Sequence, residues 1–154
     1  MKSKKRKIIE IGWREYVGLP EFHIDHVKAK IDSGARTSAL HAEEITPFDQ
    51  DGIGYVSFLI PFIGCEKGIR CSAKIVDRRP IKNTGGVAEE RYIVKTPLTL
   101  GEMRWPVEVS LTSRQSMRFP VIIGRTAIKE RGFLLNAGRS YLSGRPGYIS
   151  PRQE

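Results

Sequence analysis

The strongest constraint in this sequence is a two-residue alternation of apolar and polar side chains, repeated in short runs. Residues 27–31, Val-Lys-Ala-Lys-Ile, show it most clearly. Because successive side chains point to opposite faces of a strand, this period predicts a half-buried β-strand. Comparable runs occupy residues 55–62, 69–76, 75–82, 91–100, 103–111, 119–123, 133–135 and 141–142. Many short strands separated by turns predict an all-β barrel or sandwich.

Glycine-containing turns separate several of these runs. Residues 64–68 form one turn, and Asn83-Thr84-Gly85-Gly86 is a strong hairpin signal. One short helix is predicted at residues 126–131, with Gly132 ending it. A second helical turn is compatible with residues 39–44. The sequence therefore predicts a β protein with one short C-terminal helix.

Length and composition fit a single globular domain spanning residues 1–154. The chain is 40% hydrophobic and 28% charged, which is the balance of a folded protein. Residues 1–7 are expected to form a basic tail and residues 146–154 a loose C-terminal tail. Without a long apolar run or a secretory signal, we expect a cytoplasmic protein that spans no membrane, with Cys65 and Cys71 reduced.

The formal net charge of +9 indicates an anionic partner. Nucleic acid, the ribosome, an acidic membrane and an acidic peptide all fit that charge. The basic residues form a continuous block only near the N-terminus, at residues 4–7.

A candidate for chemistry follows the run at residues 27–31. There the sequence Asp32-Ser33-Gly34-Ala35 places a carboxylate at the tip of a tight loop. Gly34 permits a close backbone approach, and the Ser33 hydroxyl can hydrogen-bond to the loop backbone. Taken alone, Asp-Ser-Gly is also a common turn sequence.

Two later features strengthen the case. Residues 119–125, Phe-Pro-Val-Ile-Ile-Gly-Arg, form a strand that ends in Ile123, Gly124 and Arg125 and leads into the predicted helix. Between this strand and Asp32 lies the long hairpin. In order, spacing and size the chain resembles the retropepsin-like aspartic peptidases, which implies a closed β-barrel with a flap hairpin. The resemblance makes Asp32 the catalytic carboxylate, residues 83–86 the flap tip, and Ile123 and Gly124 supports of the active-site loop.

The resemblance extends to a bacterial family labelled "ATP-dependent zinc protease", which includes the RimB-type proteins. It is carried by residues 11–15, residues 28–42 and residues 138–142. That family is associated with RimK-type glutamate ligases, which add glutamates to the tail of a ribosomal protein. The resemblance therefore implies both as partners and an acidic, glutamate-rich peptide as substrate.

The sequence gives little support for zinc or ATP. Its candidate zinc ligands are His23, His26, His41, Cys65 and Cys71, and it contains no His-Glu-x-x-His motif. It also contains no Gly-rich Walker loop. We therefore expect no metal site and no cofactor.

Aspartic peptidase chemistry requires two carboxylates that share one proton and hold one water molecule. The chain has five aspartates, and only Asp32 lies in an Asp-Ser-Gly sequence. A single chain therefore cannot supply the pair from this motif, and we expect a two-fold homodimer.

Arginines suggest how an acidic substrate could be held. Viral retropepsins carry an acidic residue where this chain has Arg36, and Thr37 follows it. Arg78, Arg79 and Arg91 lie on the hairpin strands, and Arg114 and Arg118 precede the later strand. Guanidinium groups bind carboxylates through paired hydrogen bonds, so we expect several of these to line the cleft. Arg125 is expected to pair internally and to connect the helix to the active-site loop.

Two non-catalytic alternatives remain open. The domain could bind the ribosome or RNA through its basic surface, or it could be an inactive regulatory subunit of a glutamate ligase. Both predict that binding survives the loss of the Asp32 carboxylate.

Overall fold

The computed structural model of the chain describes residues 8–61, 68–82, 85–113 and 119–144. The strands are β1 (Glu10–Leu19), β2 (Ile24–Asp32), β3 (Ser38–His41), β4 (Glu43–Gln50), β5 (Ile53–Ile60), β6 (Ile69–Lys82), β7 (Ala88–Leu100), β8 (Met103–Thr112), β9 (Val121–Gly124) and β10 (Leu134–Ser140). One α-helix, α1 (Arg125–Arg131), and one 3₁₀ turn, Pro20–Phe22, complete the described elements.

The ten strands form one continuous sheet in the order β10-β1-β2-β9-β3-β8-β7-β6-β5-β4. Strand β1 also pairs with β7 at Gly18 and Thr99, so β1, β2, β9, β3, β8 and β7 form a ring. The predicted all-β class with one short C-terminal helix is confirmed. The ring is only partly barrel-like, because one residue pair closes it and β4, β5 and much of β6 extend beyond it.

The core lies on one face of the ring strands and continues onto β5. Alternation within β5 buries Val56, Phe58 and Ile60, while the residues between them are partly exposed. The clearest two-residue alternations in the sequence therefore coincide with strands, as expected for strands with one buried face. The two overlapping runs predicted at 69–76 and 75–82 form the single strand β6.

The helix prediction is confirmed in place and in its ending. Helix α1 runs from Arg125 to Arg131, and Gly132 follows with a φ of 68°. A left-handed residue at this position is favourable for glycine, which has no Cβ to clash. Among the described residues, no helix is long and apolar enough to cross a membrane.

The helical turn considered for residues 39–44 is wrong. Residues Ser38–His41 form β3, which is parallel to β8 and antiparallel to β9. Partners on both sides satisfy the backbone of this short segment, and none of them is near in sequence. Strands β1 and β4 were not predicted, and Tyr141-Leu142 lies beyond the last strand, with Tyr141 at a φ of 55°.

Some predictions concern residues outside the described ranges. These are the tails at 1–7 and 146–154, most of the turn at 64–68, Cys65, Asn83, Thr84, Arg114 and Arg118. Cys71 is described: its thiol is free and buried, and burial raises its pKa.

A buried carboxylate joins the two ends of the described chain. Glu15 in β1 is fully buried, and its Oε2 accepts hydrogen bonds from the backbone N–H of Gly12 at 2.6 Å and of Leu142 at 3.0 Å. Its Oε1 accepts one from Ser143 at 3.1 Å. Ionised acceptors form the stronger protein hydrogen bonds, so this contact fixes the segment after β10 against β1.

We expect Glu15→Gln to lower the free energy of unfolding by about 3 kcal/mol, since an NH₂ group would face backbone N–H donors and leave them unpaired. Urea denaturation measures the effect. Glu10→Gln is the matched control, because Glu10 is exposed on the same strand, and it should change stability by less than about 0.5 kcal/mol. Equal effects of the two substitutions would contradict this role for Glu15.

Candidate active site

The candidate site centres on Asp32, the last residue of β2. Its side chain is half-buried, and the chain turns immediately after it. The backbone N–H of Ala35 donates to the Asp32 carbonyl at 3.1 Å, and that of Gly34 donates to Asp32 Oδ1 at 2.9 Å. The second hydrogen bond restricts the carboxylate to one orientation while leaving Oδ2 without a hydrogen bond among the described residues.

Helix α1 is attached directly to this loop. The backbone N–H of Arg125 donates to the Ala35 carbonyl at 2.6 Å, and that of Thr126 donates to the Arg36 carbonyl at 3.2 Å. The guanidinium of Arg125 also donates to the Ser33 carbonyl at 2.9 Å. The two backbone bonds use N–H groups that would otherwise lack partners at the helix N-terminus, so the helix start and the loop satisfy each other.

Gly124 allows the loop to lie against β9. Its backbone N–H donates to Ser38 Oγ at 3.0 Å. A Cβ built at Gly124 would lie 2.6 Å from the Thr37 carbonyl carbon and 2.9 Å from the Ala35 carbonyl oxygen. Moving these backbone atoms away would distort the loop, so only glycine fits at this position. Ile123, one residue earlier, is buried in the core on the opposite face.

The sheet register shows which residues share a face with Asp32. Asp32 pairs with Gly124 in parallel, two residues beyond the pair formed by Lys30 and Ile122. Ile122 also pairs with Ala39 in β3. Paired residues on neighbouring strands project to the same side of a sheet, so Ala39 lies on the Asp32 face.

The same face continues into the hairpin of β6 and β7. Ala39 pairs with Ser110 in β8, and Ser110 pairs with Ile93 in β7. Arg91 lies two residues from Ile93 on β7, and it pairs with Arg79 in β6. Arg79 and Arg91 therefore lie on the Asp32 face, although they are far from Asp32 in sequence.

Arg78 has the opposite orientation. It pairs with Tyr92, one residue from Arg91, so it projects from the other side of the hairpin. There its guanidinium contacts Glu90 at 2.9 Å and lies over the Tyr92 ring.

The two loop residues that follow Ala35 differ in their exposure and contacts. Arg36 is exposed, and its side chain makes no ion pair or hydrogen bond with the described residues. Thr37 is half-buried and lines a pocket of about 150 Å³ on the Asp32 face, together with Ser38, Lys95, Pro106, Glu108, Thr126, Ala127 and Glu130. No sequence pattern predicts this pocket, because its lining comes from four separate segments.

Arg79 is held by two carboxylates. Its Nε donates to Asp77 and its Nη2 to Glu108, each at 2.7 Å. The hydrogen bond to Glu108 is the main cause that raises the pKa of Arg79, and the hydrogen bond from Arg79 is the main cause that lowers the pKa of Asp77. To bind a substrate carboxylate, Arg79 would have to exchange one of these partners.

The hairpin connecting β6 and β7 contains the proposed flap tip. Its paired residues end with Lys82 and Ala88, and Gly86 adopts a φ of 80°. A Cβ at Gly86 would meet nothing within 4 Å. Gly85 and Gly86 therefore lie at an open tip, while Asn83 and Thr84 are outside the described ranges.

The described residues do not fit a zinc centre. His23 ends the 3₁₀ turn, the ring of His26 packs against Tyr16, and His41 lies 3.8 Å from Glu43. Within the described ranges, no three His, Cys, Asp or Glu side chains form a group that could hold a metal ion.

We expect Gly124→Ala to displace the Asp32 loop, lowering the free energy of unfolding by about 2 to 3 kcal/mol, because the added methyl group overlaps backbone atoms. Thermal denaturation measures the change. Gly54→Ala is the matched control, since the methyl group there would approach only Ile75 Cδ1 at 3.9 Å. A Gly124→Ala protein as stable as Gly54→Ala would show that the close approach is not required.

Comparison with known proteins places the chain in a family. Residues 10–146 match the RimB-like family, described as retropepsin-like aspartic endopeptidase RimB. The crystal structure of a Legionella pneumophila protein of unknown function superimposes with a TM-score of 0.75 and covers 89% of this chain and 99% of that one. At 24% identity, this likeness supports the fold alone.

Longer relatives carry a different name. A probable alpha-L-glutamate ligase from Shewanella pealeana is 39% identical over 145 residues, which is 93% of this chain and 31% of the relative. One from Desulfotalea psychrophila is 38% identical over 123 residues, 79% of this chain and 26% of the relative. The chain spans less than a third of these proteins. Because the family match covers nearly all of its length, the chain belongs to the RimB-like family of retropepsin-like aspartic endopeptidases.

Proposed function

We propose that the protein is an aspartic endopeptidase that acts as a homodimer on glutamate-rich peptides. The observation that carries the proposal is the placement of Asp32: its loop is fixed by β9 and α1, one carboxylate oxygen is hydrogen-bonded to Gly34, and the other is available. Two such loops related by a two-fold axis would bring both carboxylates to one water molecule.

The proposed mechanism uses the Asp32 pair as a unit. Two carboxylates in contact cannot both ionise readily, so the pair holds one proton. The ionised member takes a proton from the attacking water, and the protonated member donates to the scissile carbonyl oxygen. The hairpin tips at Gly85 and Gly86 would close over the peptide and exclude bulk water.

The charge of the protein supports an acidic substrate. The net charge is +9, and Arg36, Arg79 and Arg91 lie in or on the same face as the Asp32 loop. Arg78, on the other face of the hairpin, would act only if the flap or a second subunit brought substrate to it. Thr37 would contact substrate from the pocket beside the loop.

The longer relatives suggest where the substrate comes from. Proteins named probable alpha-L-glutamate ligases contain a region similar to this chain. A ligase that adds glutamates produces the glutamate-rich chain that this peptidase would cut. We therefore propose a RimK-type ligase as its functional partner and a glutamylated ribosomal protein tail as its substrate, both in the cytoplasm.

Asp32→Asn should reduce cleavage of a peptide with an oligoglutamate tail by about 10³-fold or more, because the asparagine pair cannot share a proton. Mass spectrometry of the products measures this. Asp51→Asn is the control, since Asp51 lies in the exposed turn between β4 and β5. Equal activity of the wild type and Asp32→Asn would exclude the aspartic mechanism.

The dimer makes a separate prediction. If each site needs Asp32 from two subunits, specific activity should rise as the protein concentration passes through the dissociation constant of the dimer. Excess Asp32→Asn protein should inhibit the wild type, because it forms inactive mixed dimers. Activity independent of concentration and unaffected by Asp32→Asn protein would contradict the dimer.

A regulatory role in a glutamate ligase is the second candidate, favoured by the same relatives. In that case Asp32→Asn protein would alter the activity of an added ligase as much as the wild type does, and neither would cleave the peptide.

A further inference from the structure

Arg91 is a buried cation that makes no hydrogen bond to the described residues. Its side chain is 5% exposed, and its Nε is fully enclosed without a hydrogen-bond partner. The nearest carboxylate oxygen, Oε1 of Glu89, lies 3.4 Å from Nε, within ion-pair distance but outside hydrogen-bond geometry. Leaving an N–H donor such as Nε–H unused in a buried position is costly. Such an orphaned group indicates a place prepared for a ligand.

A second polar side-chain atom without a partner lies on the neighbouring strand β8. Thr112 is 1% exposed, and its Oγ1 has no hydrogen-bond partner in the described part of the chain. Ile93 and Ser110 are the last register pair at this end of β7 and β8, and Arg91 and Thr112 each lie two residues beyond that pair. Both side chains therefore project to the same side of the sheet from adjacent strands.

This side is the Asp32 face established by the register. We propose that Arg91 and Thr112 form a subsite that binds the side-chain carboxylate of a substrate glutamate, and that Glu89 occupies it when no substrate is bound. The inference rests on the proposed function for the identity of the peptide, and it identifies the residue that selects glutamate.

The charges at this position favour a carboxylate over a phosphate. Arg79 and Arg91 are accompanied by Asp77, Glu89 and Glu108, so three carboxylates already exceed two guanidiniums by one negative charge. Replacing Glu89 by a substrate carboxylate leaves the charge unchanged, whereas a phosphate would add negative charge. A carboxylate also matches the planar fork of a guanidinium, which can bind both oxygens.

Glu89 is suited to leave the subsite. Its side chain is 51% exposed, and it lies one residue into β7 from Ala88, where the paired part of the hairpin ends. Its contact with Arg91 is a loose ion pair, and loose exposed ion pairs contribute little stability. Arg79 differs, because its two hydrogen bonds of 2.7 Å commit it to Asp77 and Glu108.

The test compares two peptides that differ only in glutamate or glutamine at the positions around the cut. Arg91→Lys keeps the charge but loses the planar fork, so KM for the glutamate peptide should rise about tenfold while the glutamine peptide changes less than about twofold. Glu89→Gln removes the competing carboxylate and should lower KM for the glutamate peptide about threefold. Thermal denaturation verifies that each variant is folded.

A matched pair of controls is available on another part of the sheet. Arg70 in β6 contacts Glu44 in β4, and both side chains are more than half exposed. Arg70→Lys and Glu44→Gln change the same groups outside the proposed subsite, and both should leave KM and the preference for glutamate unchanged.

Binding to Asp32→Asn protein separates this inference from the proposed function. Calorimetry with the glutamate peptide should show affinity that falls about tenfold on Arg91→Lys, even if the wild type proves to have no peptidase activity. A folded Arg91→Lys protein with unchanged selectivity overturns the subsite. If Arg91→Lys does not fold, an unchanged KM or affinity of Glu89→Gln for the glutamate peptide overturns the subsite. A glutamate peptide that neither binds nor is cleaved overturns both the subsite and the proposed function.

Discussion

The insertion of β9 between β2 and β3 is the constraint on which the rest of this structure depends. The segment containing Asp32 joins β2 to β3, so the chain must leave a gap between two consecutive strands and fill it about ninety residues later. Gly124 makes this possible, since the loop backbone passes within the space that a side chain would occupy. The helix that follows then donates its first N–H groups to the loop. Asp32 is therefore positioned by long-range backbone contacts as well as by its own turn.

These contacts explain what the sequence could predict. The Asp-Ser-Gly-Ala loop, the Ile-Ile-Gly strand and the short helix each carry a local signal, and all three lie where that signal placed them. Strand β3 carried no such signal, because its conformation depends on β8 and β9 on either side. Glu15 gave none either: a glutamate between polar and aromatic neighbours suggests an exposed residue, yet three backbone donors from both ends of the chain hold it in the core.

The arginines illustrate a different limit of sequence reasoning. Their number and positions on the hairpin were evident, but the side of the sheet to which each points depends on register. A shift of one residue moves a side chain to the opposite face. The pairing of Arg79 with Arg91 places both on the Asp32 face, while the adjacent pair of Arg78 and Tyr92 projects away from it. Composition alone cannot distinguish these neighbours, although their electrostatic surroundings differ completely.

Burial then divides the arginines on the Asp32 face by their capacity to accept a ligand. Arg79 has two close carboxylates, so its guanidinium reinforces the hairpin and neighbouring strand β8. Arg91 lies deeper and has weaker contacts, which is the reverse of the usual relation between burial and pairing for a charged side chain. Folding alone does not explain this arrangement, because a hydrophobic residue would fill the same space at lower cost. The proposed incoming carboxylate explains it, since it would replace the loose contact with Glu89 by paired hydrogen bonds to the desolvated guanidinium. The subsite would thereby distinguish an ionised side chain from its neutral amide.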